Sequence, residues 1–331
     1  MSEFRTKIKS NQSIYDLKYD ESCVFIGSCF SVNIGNWLKE LKFEVDINPF
    51  GIVYNPISIS KSLDDIINEY EFKETDIYYF NEKWTSFSHH SSFSSQDKTE
   101  CLNKINTTIS YFNSKLKQSK YLFITLGTAW CYKYKKTDKI VANCHKLPSS
   151  EYEKRLLSAE EIYDEYVEII EKLLKFNKDI KIVFSVSPIR HIKEGIENNS
   201  LSKAVLIYSI NKLKQKFENV QYFPAYEIMI DDLRDYRFYE EDMIHPNITA
   251  IKYIRKVFSN MFFNKQTLEL TEDISKVIIA KNHRIFNESA NKTNEFAENM
   301  LNKISAIKSK NDFINFEEEE KHFIELIKGA V

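Results

Sequence analysis

Two short signals in this chain could carry nucleophilic or acid-base chemistry. The first is Gly27-Ser28-Cys29-Phe30, where a serine follows the apolar run CVFIG and precedes Ile34, Trp37, Leu38 and Leu41 at helical spacing. A serine at such a strand-to-helix turn is held at the carboxyl edge of a sheet, where the first N–H groups of the helix can stabilise a developing oxyanion. The pattern is not G-x-S-x-G, and the same serine serves equally well as an ordinary helix N-cap. The second signal is Asp242-Met243-Ile244-His245-Pro246. An aspartate three residues before a histidine can orient the imidazole. A helix N-terminus at that histidine disfavours its protonated form and leaves the neutral base that a serine needs. A capping aspartate beside a surface histidine is the plainer reading of that pair.

Two further pairs, His145-Lys146 and Arg190-His191, fall in strand-end loops. Together they would give a pocket a cationic rim suited to an anionic or heavily hydroxylated ligand, unless they only make structural hydrogen bonds. The five cysteines, Cys23, Cys29, Cys101, Cys131 and Cys144, include no CxxC pair, so neither a disulfide framework nor a zinc ribbon is expected. No metal or other cofactor is called for. Cys29 is a weaker nucleophile candidate than Ser28, because its side chain points away from a site into which Ser28 points. Trp84 and Phe87, in the Ser-rich stretch at 81–96, could form a lid or a stacking surface, or pack into the core.

These residues need a scaffold, and the hydrophobic pattern supplies one. Apolar runs at 23–28, 43–47, 121–127, 180–188 and 220–226 alternate with amphipathic stretches at 57–70, 98–118, 158–176 and 200–218. Five strands alternating with helices imply a parallel sheet covered on both faces, with right-handed crossovers and ligands beyond the carboxyl ends of the strands. The stretch at 81–96 has no period and reads as a loop-like insertion. Pro246 falls at a natural first position for a closing helix over 245–263. Beyond it, residues 264–331 lack strand-like runs and read as a helical extension, wrapped on the core or used in self-association, with EEEE at 317–320 as a solvated charged face.

Composition excludes some partners. Lys+Arg 46 against Asp+Glu 48 lacks the basic excess that phosphate-backbone binding demands, so nucleic acid is not expected. The first twenty residues show neither an apolar signal core nor a small-residue cleavage site, and no later stretch approaches ~18 apolar residues. The expectation is a cytoplasmic protein without a membrane partner. Richness in Lys, Asn, Ile and Phe beside only six Gly and six Pro suits an AT-rich bacterial genome.

Taken together, GSCF at 27–30 and DMIHPN at 242–247 resemble blocks I and V of the SGNH (GDSL-like) hydrolases. More specifically, IGSCFS (26–31), NPFGIVYNP (48–56), ITLGTAW (124–130), VANCHKLP (141–148), SVSPIRH (185–191) and SLSKAVL (200–206) resemble the GSCFA family, a branch of that superfamily. The resemblance covers about residues 20–263. It implies Ser28 as nucleophile, His245 as general base and then acid, Asp242 as the group orienting His245, and Gly51 as a second oxyanion N–H beside that of Ser28. The chain departs from the pattern at the third block. SGNH enzymes place an asparagine third in G-x-N-D, whereas this chain has Gly127-Thr128-Ala129-Trp130. Asn143 or Thr128 are the candidates to replace that donor.

The expected architecture is therefore a three-layer α/β/α, flavodoxin-like domain over 1–263 with a five-stranded parallel sheet, followed by the helical extension over 264–331. The expected activity is acyl transfer through an acyl-serine. Water as acceptor makes the chain an esterase or deacetylase, and an alcohol makes it an O-acyltransferase. By superfamily analogy the substrate class is small O-acyl esters of carbohydrate-like molecules. The rival reading is a non-catalytic binding or scaffold protein that keeps the fold without the third-block donor.

Overall fold

The computed structural model describes residues 5–8, 15–283 and 290–329, so parts of the N-terminal segment and of the C-terminal extension lie outside the described residues. The strands are β1 (Cys23–Gly27), β2 (Val45–Ile47), β3 (Tyr78–Phe80), β4 (Lys83–Thr85), β5 (Tyr121–Leu126), β6 (Trp130–Tyr134), β7 (Lys139–Val141), β8 (Tyr152–Leu156), β9 (Lys181–Val186) and β10 (Val220–Phe223). The helices are α1 (Cys29–Glu40), α2 (Pro56–Ile67), α3 (Lys98–Gln118), α4 (Ala159–Phe176), α5 (Ile196–Lys216), the single turn α6 (Ala225–Glu227), α7 (Ile248–Phe262), α8 (Lys265–Asn282), α9 (Ala290–Lys308) and α10 (Glu317–Gly329).

The main sheet has the order β10-β9-β5-β1-β2, and every pair is parallel. Strands β1 and β5 are buried at every residue, as a parallel sheet covered on both faces requires. Renumbered along the chain, this order is 2-1-3-4-5, the flavodoxin-like arrangement. From β1 the chain goes to β2 on one side and later returns to β5 on the other. The crevice at the carboxyl end of β1 is therefore the topological switch point, where ligands of open α/β sheets bind. One face of the sheet carries Val24, Ile26, Leu122, Ile124, Ile182 and Phe184, buried in one cluster with Ile59 and Leu63 of α2, Ile105 and Ile109 of α3, Ile162, Tyr166 and Ile170 of α4, and Leu206 and Ile210 of α5.

Three local readings change. The stretch at 81–96 is partly a hairpin: β3 and β4 pair antiparallel, and Trp84 bridges to Ser95. Its aromatic and serine side chains alternate over too few residues for a period to show. Residues 130–156, unassigned from sequence, form a second antiparallel sheet in the order β7-β6-β8. The closing helix starts at Ile248 rather than at Pro246, because Asn247 Oδ1 accepts from the Thr249 and Ala250 N–H groups at 3.1 Å each and is itself the N-cap.

The described residues fall into two compact units, one built from 5–8, 22–35 and 45–257, the other from 15–21, 36–44, 258–283 and 290–329. The second unit has its own aromatic centre, in which Tyr19 stacks on Phe43 at 3.9 Å and Phe43 on Phe263 at 5.2 Å. Glu319 departs from the solvated reading of EEEE. It is buried and paired with Lys42 at 2.7 Å and Lys281 at 3.1 Å, so burial of this one carboxylate is offset by two cations. No helix among the described residues is long and apolar enough to cross a membrane.

Candidate active site

The turn carrying Ser28 is dictated by its neighbours. Gly27 has φ +134°, and a Cβ there would lie 2.2 Å from the Thr125 carbonyl oxygen, so only glycine lets β1 run this close to β5. Its N–H donates to Asn48 Oδ1 at 2.8 Å, and the Ser28 N–H donates to Thr125 O at 3.2 Å. The chain then enters α1. Ser28 Oγ accepts from the Phe30 N–H at 3.2 Å, so the serine does cap the helix. A hydroxyl has two lone pairs and one proton, and capping uses one lone pair only, leaving the O–H to be donated. The side chain lies at the switch point, and the residue is 4% exposed.

Asp242 and His245 form a closed unit. Asp242 Oδ1 accepts from the N–H groups of Ile244 at 2.8 Å and His245 at 3.0 Å, while Oδ2 meets His245 Nδ1 at 2.6 Å. The His245 backbone N–H first, then its imidazole and the Ile244 N–H, hold the Asp242 carboxyl down at about 2, so it is ionised at any working pH. An ionised carboxylate only accepts. Nδ1 must then carry a proton, so in the neutral tautomer Nε2 is the acceptor. Among the described residues no hydrogen bond joins His245 to Ser28.

Arg190 fixes the loop that carries this pair. Its guanidinium donates to Met243 O, its N–H donates to Ile244 O at 3.4 Å, and it lies 4.0 Å over the Tyr239 ring. The segment after β9 is thereby joined to the Asp242–His245 loop. His191, next along, holds Asn199 Oδ1 through its backbone N–H at 2.9 Å and packs its ring against Tyr54 at 5.6 Å. Burial, then the charges of Lys203 and His245, push its imidazole down to about 4, so it is neutral near pH 7. Gly127 closes this group. Its N–H donates to Tyr54 O at 2.8 Å, and a Cβ there would sit 2.7 Å from Tyr54 Cβ and 3.5 Å from His191 Nε2.

Each of the expected oxyanion residues has partners of its own in this structure, and for Gly51 the donor itself is used. The Gly51 N–H donates to Asn48 O at 2.9 Å, and Gly51 is held at φ +77° where a Cβ would strike His90 Cβ at 2.3 Å. Thr128 Oγ1 is 2.9 Å from Ser202 Oγ and accepts from the Trp130 N–H at 3.2 Å. Asn143 Oδ1 accepts from the His145 N–H at 2.9 Å. His145 is spent on Thr85 Oγ1 at 3.0 Å and Ser86 O at 2.8 Å, and burial pushes its imidazole below the usual range. Lys146 is exposed. Of the rim candidates, then, Arg190 and His191 are joined to the Asp242–His245 loop, whereas His145 belongs with the β3–β4 hairpin. Phe87 stacks on Tyr78 at 4.1 Å and lines a cavity of about 800 Å³ with Phe72, Val141 and Ala142; Ser28, Asp242 and His245 do not line it.

Three residues of this region went unnoticed in the sequence. Tyr54 joins Gly127 to His191. Asn48 presents Oδ1 to Gly27, and its amide nitrogen is buried with no hydrogen-bond partner. Lys203 is 1% exposed, and its ammonium donates to Gly127 O at 2.6 Å and Ser187 O at 2.8 Å. A signal for Lys203 was available: it shares the buried stripe of α5 with Asn199, Ser202, Leu206, Ile210 and Leu213, where a lone lysine is out of place. The cysteines are all free; Cys29 is exposed, whereas Ser28 beside it is buried at the switch point, and partial desolvation pushes the Cys29 thiol up rather than down. Among the described residues no group of three or more His, Cys, Asp or Glu could hold a metal ion.

No curated protein matches the chain. Solved structures with similarity include a Clostridium thermocellum family 3 carbohydrate esterase (TM-score 0.34, 8% identity, 76% of this chain and 97% of that one). Others are a family 3 carbohydrate esterase from Talaromyces cellulolyticus (0.36, 8%, 76% and 99%) and an acetyl xylan esterase from the rumen bacterium Butyrivibrio proteoclasticus (0.37, 12%, 73% and 63%). At these TM-scores the likeness bears no weight for the site. The GSCFA family model matches residues 22–258, most of the chain, and the chain belongs to the GSCFA family.

Proposed function

We propose that this chain is a serine ester hydrolase that works through an acyl-serine, with Ser28 as nucleophile, His245 as base and then acid, and Asp242 as the group orienting the imidazole. The observation that carries the reading is the 2.6 Å Asp242–His245 bond through Nδ1, which turns Nε2 away from the carboxylate as the ring's other nitrogen, on a loop bonded to the segment after β9. Ser28 lies after β1 at the same carboxyl edge, with its proton still available. In the productive complex Nε2 takes that proton as Oγ attacks the ester carbonyl, then returns it to the leaving alcohol, and water repeats the sequence on the acyl-serine. Catalytic hydrogen bonds are often long before substrate binds, and tighten in the Michaelis complex. The substrate class is small O-acyl esters of carbohydrate-like molecules, by family resemblance.

The test is a panel of p-nitrophenyl esters of rising acyl length, together with a serine-directed phosphonate probe. Ser28→Ala should cost about 10³-fold or more in turnover and abolish labelling. Because Ser28 also caps α1, the same variant should lose about 1 kcal/mol of stability. A well-folded wild type that neither hydrolyses any ester nor takes the probe would sink the enzymatic reading in favour of a scaffold. Acyl transfer to an added alcohol, in preference to water, would make the chain an acyltransferase.

A further inference from the structure

Lys203 is a fully buried ammonium without a counter-ion: among the described residues no carboxylate lies within ion-pair distance of it. Burying such a group is costly unless it is hydrogen-bonded, and here two backbone carbonyls accept from it. Its two acceptors belong to different strands. Gly127 O follows β5 and Ser187 O follows β9, so the ammonium ties together the turns at the carboxyl ends of two neighbouring strands. The residue before it acts on the same turn, since Ser202 Oγ meets Thr128 Oγ1 at 2.9 Å and accepts from the Ala129 N–H at 2.7 Å. The first of these turns is the third block, where the family pattern's asparagine is missing. The second leads within three residues to Arg190 and within four to His191.

We propose that Lys203 is the positioning residue of this site, its Nζ clamping the Gly127 and Ser187 carbonyls and thereby setting His191, Arg190 and the Asp242–His245 loop against the Ser28 turn. Its effect on turnover rests on the ester-hydrolase reading above; its effect on the pocket does not. Gly127 packs on Tyr54 and His191, so a shift of the clamped turn is felt at once by the imidazole. The charge is felt too, because it helps to hold His191 neutral beside His245. The groups facing the ammonium are the two carbonyls and the Tyr226 ring at 5.6 Å, with His191 as the nearest imidazole in the electrostatic balance. A lysine that clamps two turns in this way need not touch substrate.

The experiment compares wild type with Lys203→Met, and with Lys203→Gln, which keeps an N–H donor group but no charge, should the methionine variant fail to fold. Turnover and KM are read on the preferred p-nitrophenyl ester, and the His191 imidazole is titrated by NMR. The proposal expects kcat to fall about 10- to 100-fold with KM little changed, as displacement of a catalytic group by about 1 Å can do. It also expects the His191 titration to move upward. A folded variant whose kcat equals that of wild type, or whose His191 titrates as before, overturns it. The two readings fail separately. An active wild type with an indifferent Lys203 variant refutes the clamp and leaves the hydrolase standing, whereas an inactive wild type whose His191 still moves refutes the hydrolase and keeps the clamp.

Discussion

Replacing Lys203 by methionine should change how stability depends on pH, and the size of the change follows from where the ammonium sits. Burial pushes its titration down from the ordinary lysine value of 10.5 to about 7. In the unfolded chain the same amine titrates near 10.5, so between these values the unfolded state binds more protons than the native state. Stability then rises with pH through that window. The sign is the reverse of a lysine that gains a carboxylate partner on folding, because here the native state disfavours the charge. Each pH unit that separates the native from the unfolded titration corresponds to about 1.4 kcal/mol, so the full difference is about 5 kcal/mol, of which about 2 kcal/mol falls between about pH 7 and 9. Urea unfolding followed by circular dichroism at about pH 7, 8 and 9, in wild type and Lys203→Met, isolates this contribution. Groups common to both variants cancel in the difference, and His191, titrating at about 4, is neutral throughout the range. Wild type should gain on the variant by about 1 kcal/mol or more for each pH unit. In thermal unfolding the same gain is about 3 °C over the whole range. Two parallel stability curves would refute the buried, unpaired ammonium on which the reasoning depends.

Other perturbations probe the remaining parts. Asp242→Asn should lower kcat/KM sharply with the fold intact, because an amide can present its NH₂ to Nδ1 and so favour the wrong tautomer; the corresponding change in the chymotrypsin triad costs on the order of 10⁴, and undiminished turnover here would reduce the pair to a loop cap. With Asp242 ionised down to about pH 2, the acid limb of kcat/KM on a non-ionising ester should show one ionisation and fall about tenfold per unit, so a flat profile would deprive Ser28 of its base. Gly27→Ala would drive a Cβ to within 2.2 Å of the Thr125 carbonyl at φ +134°, and should cost at least about 3 kcal/mol; a melting temperature within about a degree of wild type would mean that β1 and β5 do not approach as described. Truncation after Phe263 keeps Ser28, Asp242 and His245 in the chain while removing Thr267, Thr271 and Glu319, the partners of Leu17, Tyr19 and Lys42. It should retain ester hydrolysis with a lowered melting temperature, and a loss of helical circular dichroism throughout would show one folding unit.

Much of the frame was written in local pattern. CVFIG, YLFITL and KIVFSV are apolar runs short enough to be strands and bounded by polar turns, and each stretch of 3.6-residue period between them became a helix, because burial on both faces of a parallel sheet leaves such runs little alternative. The Asp242–His245 pairing was legible for the same reason: three residues of chain can bring a carboxylate to an imidazole without help from the rest of the molecule. Short aromatic strands were not legible. Those of β3, β4, β6, β7 and β8 are three to five residues long, too short to show a period, so their identity depends on the pairing they make. Site assembly was likewise a tertiary matter. That Arg190 fastens the 242–245 loop, that His145 turns to Thr85 and Ser86, and that Thr128 meets Ser202 all follow from contacts the fold creates. Lys203 shows the division most plainly: the sequence set a cation on an apolar helix stripe, but only the approach of α5 to the ends of β5 and β9 supplied two carbonyls to hold it, because a buried charge takes its meaning from the groups that replace its water.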